Sequence, residues 1–310
     1  MVTQAAILLI GLILLCIGSS LLVEGSASTA VMFAVRPVIV GLTIVSFATS
    51  APELLVSLVA AVKGSGGISL GNILGSNVIN IALVLGISAI IKPVSIKNQI
   101  IKIEIPYMIL ISCIFWLLCM DSYIGHTDGF ILIALLIVFL IYGVTTAKEK
   151  GDTSKSVQPS LSHILKNAVF IILGIIMLAY GANFVVTEAI NIAQKIGLSQ
   201  TFIGISVVAL GTSLPELATS AVAAARGESD ISVGNVVGSN LFNICLVMGV
   251  VGVFNPMSID KNLHYFQFPC MIFICFVLGY VAFINQGIGK KMGSLFVLLF
   301  FVYILISYIN

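Results

Sequence analysis

Long apolar runs alternate with short polar breaks along the whole chain. Ten runs can be counted, at roughly 4–24, 37–62, 69–91, 100–119, 127–146, 163–187, 201–225, 232–253, 265–284 and 290–309. Each approaches the roughly 20 residues that a helix needs to cross the hydrocarbon core of a bilayer. Lipid offers no water to an unpaired backbone, so spans of this kind must be helical. The pattern therefore predicts an all-α membrane protein of ten transmembrane helices. The first run begins almost at Met1, with no basic segment before it and no small-residue cleavage pattern after it, and reads as a retained span. Residues 148–156 read Lys-Glu-Lys-Gly-Asp-Thr-Ser-Lys-Ser, the only markedly polar stretch and too short for a domain. It predicts a solvated cytoplasmic linker over 148–162, between halves at 1–147 and 163–310.

The two halves carry the same pattern. Adding 163 to a residue number in the first half finds its partner in the second. Gly11 meets Gly174, Gly18 meets Gly181 and Gly41 meets Gly204. Thr49, Ser50, Pro52 and Glu53 meet Thr212, Ser213, Pro215 and Glu216. The register continues through Gly64 and Gly227, Gly71-Asn72 and Gly234-Asn235, and Gly75-Ser76-Asn77 and Gly238-Ser239-Asn240. It then runs through Asn80 and Asn243 to Pro106 and Pro269, which marks the chain as a duplication. Five spans per half is an odd number, so the second half must enter the membrane upside down relative to the first. With the N-terminus outside, eleven Lys and Arg residues fall on the cytoplasmic side, from Arg36 to Lys291, and only Lys63, Lys195 and Lys261 fall outside. Both termini are thus expected on the extracellular face of the plasma membrane. Inverted repeats with matching interrupted helices are the signature of a secondary transporter with its site near the midplane.

Composition supports this picture. The chain is 59% hydrophobic and 8% charged, far from the roughly 25% charged residues of a soluble domain. A net charge of +2 and the absence of a basic run argue against a nucleic-acid partner. The six cysteines are scattered through apolar segments without metal-ligand spacing and read as small hydrophobes. The three histidines fall near span ends, as do Glu24, Glu104, Asp121, Asp128 and Glu188, where solvation is within reach. Glu228 and Asp230 read as loop charges.

Chemistry concentrates in the duplicated Thr-Ser-x-Pro-Glu stretch. Proline removes a backbone donor and clashes with the preceding turn, so the second and seventh helices should break near Pro52 and Pro215. Thr and Ser just before it suit an N-cap of the following half-helix. Carbonyls around Ser46 to Ala48 and Ala209 to Gly211 are then free to face a cation. Glu53 and Glu216 sit in the first turn of the new half-helix, where its dipole favours a carboxylate. Ionisable residues are costly in lipid, which marks them as functional. Ser76 and Asn80 share a helix face, as do Ser239 and Asn243, and their oxygens suit a coordination shell. The glycines, with Asn72 and Asn235, read as helix-packing positions. Asn77 and Asn240 lie off that face, and the sequence leaves both roles open for them. Carboxylates, hydroxyls, amides and carbonyls are hard ligands, suited to Ca2+, Na+ or Mg2+ rather than zinc or copper. Two carboxylates neutralise one divalent ion, and monovalent ions compete for the same ligands, which is the requirement of antiport.

The motifs Gly211-Thr212-Ser213-Leu214-Pro215-Glu216 and Gly234-Asn235-Val236-Val237-Gly238-Ser239-Asn240, with Ala48 to Glu53 and Gly71 to Asn77, resemble the α-repeats of the cation/Ca2+ exchanger superfamily, in its Na+/Ca2+ exchanger branch. The resemblance covers essentially the whole chain, in the prokaryotic ten-helix form. It implies a bundle of short helices around central cation sites, with the long first and sixth helices sliding across it. The ligands it implies are Thr49, Ser50, Glu53, Ser76, Asn80, Thr212, Ser213, Glu216, Ser239 and Asn243, with carbonyls at Ser46 and Ala209. Ala48 replaces a usual glycine. Asn243 stands where some relatives carry aspartate, and Gly75 and Gly238 stand where the H+/Ca2+ branch carries glutamate. These departures favour Na+ over H+ as counter-ion, with an H+/Ca2+ antiporter as the alternative. No cofactor is expected, and the partners are Na+, Ca2+ and the bilayer, with the chain a monomer. A passive cation channel would share the ligand chemistry. An intramembrane enzyme would need a nucleophile–base pair or a metal motif, and none is present in the sequence.

Overall fold

The computed structural model describes residues 2–146, 160–195 and 209–309. The fold is helical, as the apolar runs require. Helix α1 spans Val2–Met32, α2 Pro37–Thr49, α3 Ala51–Val62, α4 Gly66–Ile91, α5 Ile100–Leu118 and α6 His126–Thr145. After the linker come α7 (Leu161–Lys195), α8 (Ala209–Thr212), α9 (Leu214–Arg226), α10 (Ser229–Phe254), α11 (Gln267–Asn285) and α12 (Lys290–Ile309). Eight of these segments are long and apolar enough to cross a membrane singly, and α2 with α3 makes a ninth span bent by 43°. The first part of the expected span 201–225 and nearly all of the linker lie outside the described residues. Two two-stranded pairs qualify the all-α expectation. Val94–Ser95 (β1) pairs with Gly287–Ile288 (β4), and Tyr123–Ile124 (β2) pairs with Met257–Ser258 (β3), tying span ends together.

Burial separates the helices into layers. The most apolar windows of α4 and α10 are 83% buried, against 22–44% for the other single helices, so these two form the centre. Their glycines let neighbours close in. A Cβ on Gly86 would meet the Gly293 carbonyl at 3.0 Å, and one on Gly249 would meet that of Gly129 at 3.3 Å. The outer surfaces are as greasy as the interior, with Ile13, Ile172, Phe283 and Phe301 all exposed. That distribution suits a lipid solvent rather than water. Gly64 and Gly227, matched in the repeat, close α3 and α9 with φ of 75° and 86°, a left-handed conformation that glycine adopts without a Cβ penalty.

Helices α1 and α7 are longer than their apolar runs suggested, Val2–Met32 against 4–24 and Leu161–Lys195 against 163–187. They run antiparallel with backbones in contact. Cβ atoms on Gly11, Gly18 and Gly25 would meet the carbonyls of Gly181, Gly174 and Asn167 at 2.9–3.0 Å. The seven-residue spacing of these glycines keeps them on one helix face. Packing sets the helix ends here, and hydropathy alone does not report it.

Two acidic residues depart from expectation. Glu104 is 1% exposed, with Arg36 3.7 Å away, and Glu188 is 7% exposed, so neither is solvated at a span end. Arg36 also donates to the Thr146 carbonyl at 3.1 Å and to its hydroxyl at 3.2 Å, fixing the α1–α2 turn to the end of α6. Asp230 is paired with Lys97 at 2.6 Å and opens the first turn of α10 rather than a loop.

Gly18→Val places new atoms against the backbone of α7, which cannot retract as a flexible side chain would. We expect it to lower detergent thermal stability by about 1–3 kcal/mol, whereas Gly67→Ala, with no described atom within 4 Å of its Cβ position, leaves stability unchanged or higher. Thermal unfolding of the two purified variants checks this.

Candidate cation site

Each half breaks a helix at the same place. α2 stops at Thr49, Ser50 turns with φ −82° and ψ 2°, and α3 resumes at Ala51 with Pro52 in its first turn. In the second half α8 stops at Thr212, Ser213 turns with φ −87° and ψ 6°, and α9 resumes at Leu214 with Pro215. Proline deprives the carbonyl four residues earlier of its donor, which is Ala48 rather than Ser46. The Ser46 carbonyl still accepts from the Ser50 amide at 2.9 Å. The N-cap expectation also needs correction. Ser50 and Ser213 occupy cap positions but make no side-chain cap bond. Their hydroxyls cross to the other half instead: Ser50 donates to Glu216 at 3.4 Å and Ser213 to Glu53 at 3.3 Å.

Twelve residues were expected to line the site, and the structure brings the described side chains together from both halves. Ser46, Thr49, Glu53, Ser76, Asn80, Glu216, Ser239 and Asn243 are wholly buried, and Ser50, Thr212 and Ser213 nearly so. Thr49 lies 3.3 Å from Ser239, and Ser213 lies 3.2 Å from Ser76. Ser46 turns its hydroxyl to the carbonyls of Gly41 and Asn235, at 2.7 and 3.1 Å. Ala209 opens α8, and its side chain lies outside what is described.

Unpaired atoms mark the centre. The Oε2 atoms of Glu53 and Glu216 and the Oδ1 atoms of Asn80 and Asn243 are buried with no hydrogen-bond partner among the described residues. These are two matched pairs at the repeat offset, all oxygens, all acceptors. A buried acceptor without a donor costs about 1–3 kcal/mol, more when charged. Four together suit a ligand that accepts nothing and carries positive charge. The ion pairs Arg36–Glu104, Lys97–Asp230 and Arg226–Glu24 involve neither carboxylate.

Some participants have partners that the sequence does not specify. Asn72 and Asn235, expected to bond across helices in packing, do so and also reach the site hydroxyls: Thr212 donates to Asn72 at 3.3 Å and Thr49 to Asn235 at 3.1 Å. Their own amide nitrogens bond Ser57 and Ser220 at 3.0 and 2.9 Å. Asn77 and Asn240, left open by the sequence, bond across the halves. Only the repeat register signalled them. The close-approach expectation holds for Gly234, whose Cβ would meet the Val38 carbonyl at 2.7 Å. For Gly71 the expectation falls outside the described residues. The first-half equivalent of that contact would involve residues 201–208, which are not described. Neither did the sequence disclose the π-helical turns at Gly41–Val45, Asn80–Leu85 and Phe242–Met248, each beside a site residue.

A helical membrane fold around a buried, twice-repeated cluster of carboxylates, hydroxyls and amides points to a cation transporter of the exchanger type. The family model described as Sodium/calcium exchanger protein matches residues 3–145 and 166–309. The chain belongs to that family, whose members are transporters rather than enzymes. It is 32% identical to the inner membrane protein YrbG of Escherichia coli, covering 90% of this chain and 88% of that protein. It is 28% identical to the sodium/calcium exchanger MaX1 of Methanosarcina acetivorans over 95% of each. Among solved structures, the sodium-calcium exchanger NCX_Mj soaked with Na+ superposes with a TM-score of 0.87 at 32% identity, covering 98% of each chain. The same exchanger has been soaked with Na+ and Ca2+ together, and superposes at 0.86.

Replacing Glu216 or Glu53 by Gln keeps the shape and removes a buried charge. We expect each variant to unfold no earlier than the parent without Ca2+, and to lose the stabilisation Ca2+ gives the parent, about 2.7 kcal/mol at a hundredfold excess over Kd. Thermal scans with and without Ca2+ read both effects.

Proposed function

We propose that the chain exchanges Na+ for Ca2+ across the plasma membrane by alternating access. The observation that carries this is the set of four buried oxygens without a hydrogen-bond partner among the described residues, one carboxylate and one amide from each half. Ca2+ neutralises both carboxylates at once. Na+ occupies the same oxygens singly, so the two ions exclude one another. Ser46, Thr49, Ser50, Glu53, Ser76 and Asn80, with Ala209, Thr212, Ser213, Glu216, Ser239 and Asn243, form the proposed ligand set. Ser46 and Ala209 contribute backbone oxygen.

Na+ is favoured over H+ because the site holds only two carboxylates. Gly75 and Gly238 supply none, and Asn80 and Asn243 are amides. The proposed architecture is ten transmembrane helices in two inverted five-helix repeats, 1–147 and 163–310 around a cytoplasmic linker, with both termini outside. The two segments matched by the family model coincide with these halves. With α1 and α7 joined backbone to backbone, the pair moves as one body over the bundle and opens the site to one side at a time. An empty site leaves two carboxylates unneutralised in a buried setting, which disfavours passage without a cation and couples the flows. The working unit is a monomer, since each chain supplies both halves of its site.

Proteoliposomes loaded with Na+ should take up radiolabelled Ca2+ when the outward Na+ gradient is imposed, and external Na+ should compete. Uptake that ignores Na+ and follows a pH gradient would assign H+ as counter-ion. Leakage of Ca2+ without any counter-flow would make the chain a channel.

A further inference from the structure

Asn77 and Asn240 sit beside the ligands without belonging to them, and their bonds form a closed pattern. The Asn240 amide nitrogen donates to the Asn77 backbone carbonyl at 3.3 Å, and its Oδ1 accepts from the Asn80 amide nitrogen at 3.1 Å. The Asn77 amide nitrogen donates to the Asn240 carbonyl at 3.5 Å, and its Oδ1 accepts from the Asn243 nitrogen at 3.1 Å. All four residues are buried, 1% exposed or less.

An amide can turn either end toward a neighbour, and its orientation follows from its partners. Here the partners leave one solution. A backbone carbonyl only accepts, so the Asn240 nitrogen must face Asn77. That turns Asn240 Oδ1 toward Asn80, which must answer with its nitrogen. Asn80 Oδ1 is then left as the free branch, buried and unpaired. The same logic, run from the Asn240 carbonyl through Asn77, frees Asn243 Oδ1. Reversing either ligand amide would set oxygen against oxygen behind it and aim N–H donors at the cation.

We propose that Asn77 and Asn240 are positioning residues that fix the polarity of the Asn243 and Asn80 amides, so that each half of the site is oriented by the other half. This rests on the cation-site reading above. Neither residue touches the ion. The secondary contacts agree, since the same two nitrogens lie 3.7 Å from Met271 and Met108 sulfurs, which also only accept. Outer partners that orient a ligand typically alter metal affinity by about 10- to 100-fold when removed.

The test is a double-mutant cycle read by equilibrium binding of Ca2+ to purified protein, with thermal unfolding as the check on folding. Asn77→Leu keeps the volume and removes the accepting oxygen, so Ca2+ affinity should fall by about tenfold or more. In an Asn243→Asp background the ligand has two equivalent oxygens and needs no orienting, so adding Asn77→Leu should change affinity by less than about threefold. Equal losses in both backgrounds would reduce Asn77 to packing and overturn the proposal, as would an Asn77→Leu chain that binds like the parent. Should the leucine variant fail to fold, Asn240→Leu runs the same test on the Asn80 amide, which the Asn240 Oδ1 orients. There Ca2+ affinity should again fall by about tenfold or more, and a variant that binds like the parent overturns the idea. A parent chain that binds neither Na+ nor Ca2+ gives a different result, and removes the exchanger reading itself.

Discussion

Two carboxylates share this interior, and no described ion pair supplies either with a cation. Glu53 and Glu216 are wholly buried, while the described ion pairs all lie elsewhere. Taking one carboxylate out of water costs several kcal/mol even after relaxation. The surrounding architecture reduces that cost without removing it. Helix starts at Ala51 and Leu214 direct positive dipole ends at the two acids. Serines from the opposite half donate to one oxygen of each, and the second oxygen is left over. A site satisfied to that degree is stable enough to fold and still prefers to hold a cation.

Duplication explains how so many polar atoms meet without clashing. Most bonds around the site have a twin at the repeat offset, so much of the packing is the same arrangement used twice. Ser50 with Glu216 mirrors Ser213 with Glu53, and Thr49 with Asn235 mirrors Thr212 with Asn72. The symmetry relaxes away from the centre. Glu104 faces Arg36, whereas its counterpart Gln267 accepts from Tyr303 and donates to Ser307. Ser46 ties α2 to α10 by its hydroxyl, and Ala209 has none to offer.

Much of this was legible in the sequence because two periodic signals were strong. Apolar runs gave the helices, and the 163-residue register gave the paired acids, hydroxyls and amides. What escaped depends on direction rather than identity. Asn72 reads as a packing residue in a glycine-rich segment until its oxygen is seen under Thr212. Ser50 reads as a cap until its hydroxyl is seen to leave its own helix. Glu104 lies near a span end in one dimension and under Arg36 in three. The π turns follow from the register of backbone carbonyls, for which side-chain chemistry gives no sign.

The α1–α7 pair limits how such a site can be opened. Side chains interlock most helices, so relative movement between them must lift knobs out of holes. Where Gly11, Gly18 and Gly25 meet Gly181, Gly174 and Asn167, backbone lies directly on backbone, and no rotamer change can loosen the contact. Motion between α1 and α7 is therefore the costly choice. Among the described residues the pair packs on a small apolar cluster that includes Leu15, Leu22, Val23, Leu178 and Ala182, with Glu24 of α1 also paired to Arg226 of α9 at 3.8 Å and Val186 of α7 set against Gly211. In the alternating-access reading proposed above, the pair shifts over that contact and releases the Glu24–Arg226 pair while the hydrogen-bonded centre stays assembled. The polar centre would then hold its geometry through the cycle, and the apolar seam would do the moving.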